Sequence, residues 1–145
     1  MDSYTTFVEM LGENHPDTLK AAGNLGKFYM ETNAMSDAET ILLATHQKAL
    51  VCMGLQDKLT LKTLSNLAEF YLKDGNFPKA KPYLLKYIPE ARAVFGPASS
   101  EIMKAYYNLA RIFSHQGNYV EAEDLFLDCV TRRRTKGVGA TNSGE

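Results

Sequence analysis

Apolar residues in this chain recur at helical spacing, three times over in one register. Leu61, Leu64, Leu67, Ala68 and Tyr71 stand at i, i+3, i+6, i+7 and i+10, which gathers them on one face of a helix. Gly75-Asn76 then interrupts the pattern, and glycine is the preferred residue just past a helix end. A second apolar run follows through Phe77, Ala80, Leu84, Tyr87, Ile88 and Ala91. The stretch reads as two helices joined by a tight turn.

The same pattern lies on either side. NLGKFYMETNA begins at Asn24, NLAEFYLKDGN at Asn66 and NLARIFSHQGN at Asn108, each 42 residues after the last with no insertion. Five columns are identical in all copies: Gly12/Gly54/Gly96, Lys20/Lys62/Lys104, Asn24/Asn66/Asn108, Leu25/Leu67/Leu109 and Ala38/Ala80/Ala122. A fixed period of this length marks stacked helix pairs, each burying its apolar face on its neighbours. Three copies follow, at 12–53, 54–95 and 96–136. Residues 1–11 precede them; Tyr4, Phe7 and Val8 align with the end of a second helix, so the chain starts partway through a copy. Residues 137–145, GVGATNSGE, have no apolar pattern and read as a flexible tail.

Start signals agree with the helices. His15-Pro16-Asp17 puts proline where a missing N–H costs nothing, Asp57 is placed to cap the next first helix, and Ser99 or Ser100 the third. Ser36-Asp37-Ala38-Glu39 has capping-box spacing. Pro82 and Pro89 fall inside the second copy's second helix and predict a bend there.

Composition narrows the function. The chain has 145 residues, 45% of them hydrophobic, enough for one domain with a core. A net charge of -1 argues against a globally basic nucleic-acid binder. No apolar run approaches the ~20 residues a bilayer span needs, and MDSYTTFVEM lacks the features of a signal peptide. Cys52 and Cys129 then read as reduced thiols of a cytoplasmic protein, Cys129 in a core column. His15, His46 and His115 are scattered without ligand spacing, no carboxylate pair or activated nucleophile is recognisable, and no strand precedes the glycines of the tail. The expectation is a non-enzyme with no metal or cofactor.

Leu25, Gly26, Tyr29, Ala38 and Leu42 have the spacing of the tetratricopeptide repeat signature, as do Leu67, Ala68, Tyr71, Ala80, Leu84 and Leu109, Ala110, Phe113, Ala122, Phe126. With LGENHPDTL at residues 11–19 and a period longer than the usual ~34, the chain resembles the long-helix variant in kinesin light chains and nephrocystin-like proteins. The opening motif decays to MGLQDKLTL and FGPASSEIM in the later copies. The resemblance implies an all-α, right-handed α-solenoid of antiparallel helix pairs.

Away from the apolar face, each first helix carries a polar stripe: Lys20, Asn24, Lys27, Glu31; then Lys62, Asn66, Glu69, Lys73; then Lys104, Asn108, Arg111, His115. The stripe holds six cations against two anions in a chain of net charge -1. In the family this face lines a concave groove and related domains hold peptides with Asn and basic residues there. The resemblance therefore implies peptide binding by Lys20, Asn24, Lys27, Lys62, Asn66, Glu69, Lys73, Lys104, Asn108 and Arg111, with Tyr107 bordering the groove. An Asn amide suits the backbone of an extended peptide, and ammonium groups attract acidic side chains. The expected partner is an acidic protein or peptide segment, not nucleic acid or membrane. The Asn column has a second reading, as a bridge between neighbouring helices. At the level of function, two alternatives stand beside the scaffold: an architectural or self-association segment, dimerising through uncapped apolar ends at Tyr119, Leu125, Leu127 and Val130, or a small-molecule sensor with a deep pocket.

Overall fold

A computed structural model of the chain describes residues 2–128. Every element in them is helical: α1 (Asp2–Leu11), α2 (Pro16–Glu31), α3 (Met35–Met53), α4 (Lys58–Lys73), α5 (Phe77–Phe95), α6 (Ser100–His115), and α7 over residues 119–128. Cys129, Val130, the Arg132–Arg134 run and the tail lie outside the described residues. The chain divides into two compact units, Met1–Tyr83 and Leu84–Glu145, with the division inside α5.

The 42-residue period is visible in the backbone. Asn33, Gly75 and Gly117 close the first helices with φ of +62°, +80° and +83°. One residue on, the N–H groups of Ala34, Asn76 and Asn118 donate at 2.8 Å to the carbonyls of Tyr29, Tyr71 and Phe113. This closure needs a left-handed residue, which explains glycine in two copies and asparagine in the third.

Starts follow the expected chemistry in the first helices. His15 Nδ1 accepts from Asp17 N–H at 3.1 Å, Asp57 from Leu59 N–H at 2.9 Å, and Ser99, rather than Ser100, from Ile102 N–H at 3.3 Å. The capping box at Ser36 does not form. The left-handed turn at Asn33 makes Ala34 the cap residue, without a side-chain bond, and Ser36 lies within the first turn, two residues past the cap. Glu39 is engaged elsewhere: it accepts the Tyr71 hydroxyl at 2.7 Å. In α5 the helix runs on to Phe95 through Pro82 and Pro89, each of which removes one backbone donor.

In the first unit, α2 packs on α1 and α3, and α4 packs on both α3 and α2. Leu19, Leu42, Leu61, Leu64, Leu67 and Tyr71 form its buried centre. The backbone of Gly26 approaches α3 so closely that an added Cβ would sit 2.5 Å from Leu42 Cδ2. Buried polar links join α3 to α4. Thr60 Oγ1 donates to the Ala49 carbonyl at 3.2 Å, and Thr63 Oγ1 to the Thr60 carbonyl at 2.6 Å. With its proton committed there, the Thr63 oxygen accepts from His46 Nδ1 at 2.9 Å. Tyr71 stacks on Tyr83 with centroids 5.6 Å apart, beneath the Lys79 ammonium at 5.1 Å. Burial, then the bond to Glu39, push the Tyr71 hydroxyl well above the ordinary phenol range. Thr18 Oγ1 is buried with no hydrogen-bond partner among the described residues.

The second unit buries Leu84, Tyr87, Ala91, Ile102, Ala105, Leu109 and Ile112. Arg92 donates to the Tyr106 hydroxyl, tying α5 to α6. Tyr107 meets Phe126 of α7 edge-on at 5.6 Å.

Candidate peptide-binding face

In the first unit the polar stripes of α2 and α4 lie side by side. Lys20, Gly23 and Asn24 from α2 and Lys62, Thr63 and Asn66 from α4 line one crevice of about 10 Å³, floored by Leu19 and Leu59. That volume admits about one water and no metabolite. Four of the residues expected to bind peptide are therefore brought together here. Lys20, Lys62 and Lys73 are exposed, as is Asn24; Lys27 and Glu69 are half-buried. Lys20, Lys27, Lys62 and Lys73 form no ion pair within 4 Å of a described carboxylate.

The asparagine column does not share one environment. Asn66 is 4% exposed and Asn108 8%, whereas Asn24 is open. The expectation that the whole stripe stands off the packed faces is corrected at these two residues. Asn66 Nδ2 lies against the α2 backbone, 3.6 Å from where a Cβ on Gly23 would be. The cause is angular. Four residues turn a helix by only about 40° beyond a full circle, so Asn66 neighbours Phe70, which is itself buried. No side-chain hydrogen bond links Asn66 to a described residue, so it is wedged between helices rather than bonded across them.

In the second unit, α6 carries Lys104, Tyr107 and Arg111 on its exposed side, next to the buried Asn108. The sequence reading passed over Gly23, whose small size is what lets the Asn66 amide approach α2. The signal was a small residue in the same register of the next copy, Ser65. Among the described residues no three His, Cys, Asp or Glu side chains gather as a metal site requires, and no helix is long and apolar enough to cross a membrane.

Comparison with known proteins places the chain in a family. The tetratricopeptide-repeat family model matches residues 59–135, more than half the chain. The chain is a tetratricopeptide-repeat protein. No curated protein is significantly similar to it in sequence. Among solved structures, this TPR chain is similar to BtubC from P. vanneervenii, with a TM-score of 0.82 at 14% identity, over 92% of this chain and 53% of that one. It is also similar to the TPR-like repeats assigned to a kinesin light chain of Podosopora anserina, with a TM-score of 0.74 at 18% identity over 84% of this chain and 58% of the other. The TPR domain of Arabidopsis FLU gives 0.69 at 19% identity, over 81% and 95%. At these identities the likeness is one of fold, and the chain spans a little over half the length of the first two. TPR repeats generally mediate protein–protein interaction and the fold is generally a non-catalytic scaffold.

Proposed function

We propose that this TPR chain is a non-catalytic, cytoplasmic interaction scaffold that holds a short, extended, acidic peptide along the polar face of its first helices. One observation carries the reading. Lys20 and Lys62, from adjacent helices and without ion pairs to described residues, flank Asn24 and Asn66 at a single crevice. A solvated lysine face alone is unremarkable chemistry. Lysines set on both sides of an open amide are suited to a peptide, because the amide serves both backbone N–H and C=O while the ammonium groups meet carboxylates.

Spacing supports it. Lys20 and Lys27 are seven residues apart on α2, about 10 Å along the axis, which an extended peptide covers in about three residues. Lys104, Tyr107 and Arg111 supply the same chemistry on α6, with an aromatic ring for stacking. The repeat division at 12–53, 54–95 and 96–136 belongs to this reading, as each copy contributes one stripe. The backbone of the site is set before binding, so little ordering of the protein opposes association.

The test is fluorescence anisotropy with short labelled peptides, acidic against neutral, of equal length. Acidic peptides bind more tightly, and Lys20→Glu with Lys62→Glu weakens them about tenfold at low salt, an effect that shrinks at high salt. Equal binding of both peptide classes, or indifference to the double reversal, overturns the reading.

A further inference from the structure

Inside the first unit, the packing of α4 shows what the open face of α2 would take. Helix α4 lies on α3 and on α2, the two helices of the copy before it. One period earlier, α2 lies on α1, which holds the place of α3. Among the described residues no helix takes the place against α2 that α2 itself takes against α4. The burial of one stripe records the difference. Ala21, Asn24 and Phe28 stand at i, i+3 and i+7 on one face of α2. In the same registers Thr63, Asn66 and Phe70 of α4 are buried, as are Ala105, Asn108 and Ile112 of α6. On α2, Phe28 is 55% exposed, Asn24 is open and Ala21 is half-buried. The exposure is confined to α2 and is not a property of the register. The other end of the repeat differs. Leu127 is exposed, but so are Leu43 and Leu85 in its register, and Leu125, expected to join that surface, is half-buried.

What covers α4 defines the occupant. Helix α2 lines its crevice with α4 through Leu19 and Gly23. A Cβ on Gly23 would already touch the Asn66 amide, at 3.6 Å, so the position takes only a small residue. A helix that covers α2 in the same way presents an apolar residue and, four positions on, a glycine or alanine against Asn24. This chain does not offer one. In a second copy Gly23 is buried, Ser65 in its register is half-buried, and the exposed residue of that register on α6 is Tyr107. Residues 129–145 contain no Leu, Ile, Met or Phe. We propose that the Ala21–Asn24–Phe28 face of α2 docks an amphipathic helix of a different protein, laid along α2 as α2 lies along α4. The docked helix continues the row of first helices, so it extends an interface that the chain already builds. Burial of Phe28 supplies most of the driving force, and the small residue opposite Asn24 sets the partner's register. The occupant shares Asn24 with the peptide face, but Phe28 lies outside that face, so each reading stands if the other fails.

The probe is a labelled peptide of residues 16–31, the helix that covers α4, with its Lys27 and Glu31 side chains joined as a lactam. Circular dichroism checks that it is helical. Fluorescence anisotropy against the full chain, to several hundred micromolar, is expected to show saturable binding. Phe28→Asp in the chain is expected to weaken it about tenfold or more, and Gly23→Tyr in the probe to do the same. Phe28 is exposed, and far-UV circular dichroism checks that the variant chain keeps its helices. A helical probe that does not bind overturns the proposal. Equal binding to the Phe28→Asp chain also overturns it, because the probe then replaces the chain's own α2 or sits elsewhere. Equal binding by the Gly23→Tyr probe removes the size rule that defines the partner. Sedimentation velocity gives the last check: wild-type self-association that Phe28→Asp abolishes would make a second copy the occupant and overturn the proposal. Probe binding that appears only after deletion of residues 129–145 would do so too, because the face is then covered within its own chain.

Discussion

Asn24 and Asn66 are the same residue in the same register of two helices that touch, and their surroundings are opposite. Asn66 is wedged against the α2 backbone at Gly23; Asn24 is open to solvent. One neighbouring register splits the same way: Phe70 is buried where Phe28 is half open. Thr18 and Thr60 are both fully buried and differ in partner only: Thr60 gives its hydroxyl to the Ala49 carbonyl, whereas Thr18 Oγ1 bonds to no described residue. The residues on α2 and α4 are alike, so side-chain identity does not decide the environment. What decides it is whether another first helix lies against the face. A stacked repeat therefore produces, from nearly one sequence, a packed face on α4 and an accessible one on α2.

The sharpest way to break this comparison is to truncate the two phenylalanines. Phe70→Ala is expected to lower stability by about 3–5 kcal/mol, as aromatic truncations in cores do, while Phe28→Ala costs under about 1 kcal/mol. Urea unfolding of both variants decides it; equal losses would mean that Phe28 is covered after all. Gly26→Ala is next, at about 1–3 kcal/mol of destabilisation, because the new methyl collides with Leu42. The same register holds Ala68 and Ala110, so the size limit belongs to the first copy's packing and not to the register. Thr18→Val should raise stability by about 1 kcal/mol by removing a buried unpaired hydroxyl, and Thr60→Val should lower it by a similar amount. A shift of the same sign in both midpoints would contradict the split between the two copies. The smallest effect is at the asparagines. Asn24→Ala is expected to raise thermal stability slightly, by about 0.5 kcal/mol from helix propensity, while weakening acidic-peptide binding. Asn66→Ala loses packing against Gly23 and should lower the melting temperature.

The helix pairs, the left-handed turns at Gly75 and Gly117 and the first-helix caps were legible because their signals are local. Proline, glycine and short polar side chains act within a few residues of where they stand. Two errors had their correction within the sequence. Asn76 and Asn118 occupy the register of Ala34, and Asn76 caps α5 through Lys79 N–H at 3.3 Å, so the repeat itself identifies Ala34 as the cap and Ser36 as interior. Likewise Phe28, Phe70 and Ile112 form an apolar column four residues past the asparagines, which marks that edge of the stripe as a stacking face. Other features had no local trace. The bonds from Tyr71 to Glu39 and from His46 to Thr63 join different helices, and periodicity ranks such residues only as inside or outside. The split between Asn24 and Asn66 is of this kind too, since identical letters cannot report which helix lies beside them.

The most direct test of the peptide face uses the side-chain amides themselves, which give resolved pairs in a ¹⁵N–¹H correlation spectrum. On titration with an acidic peptide, the account predicts progressive shifts of the Asn24 side-chain NH₂ signals, together with backbone shifts around Lys20 and Lys62, and no such shifts with a neutral peptide of equal length. A peptide that binds while the Asn24 amide stays fixed, its shifts falling on α3 or α5, would contradict it.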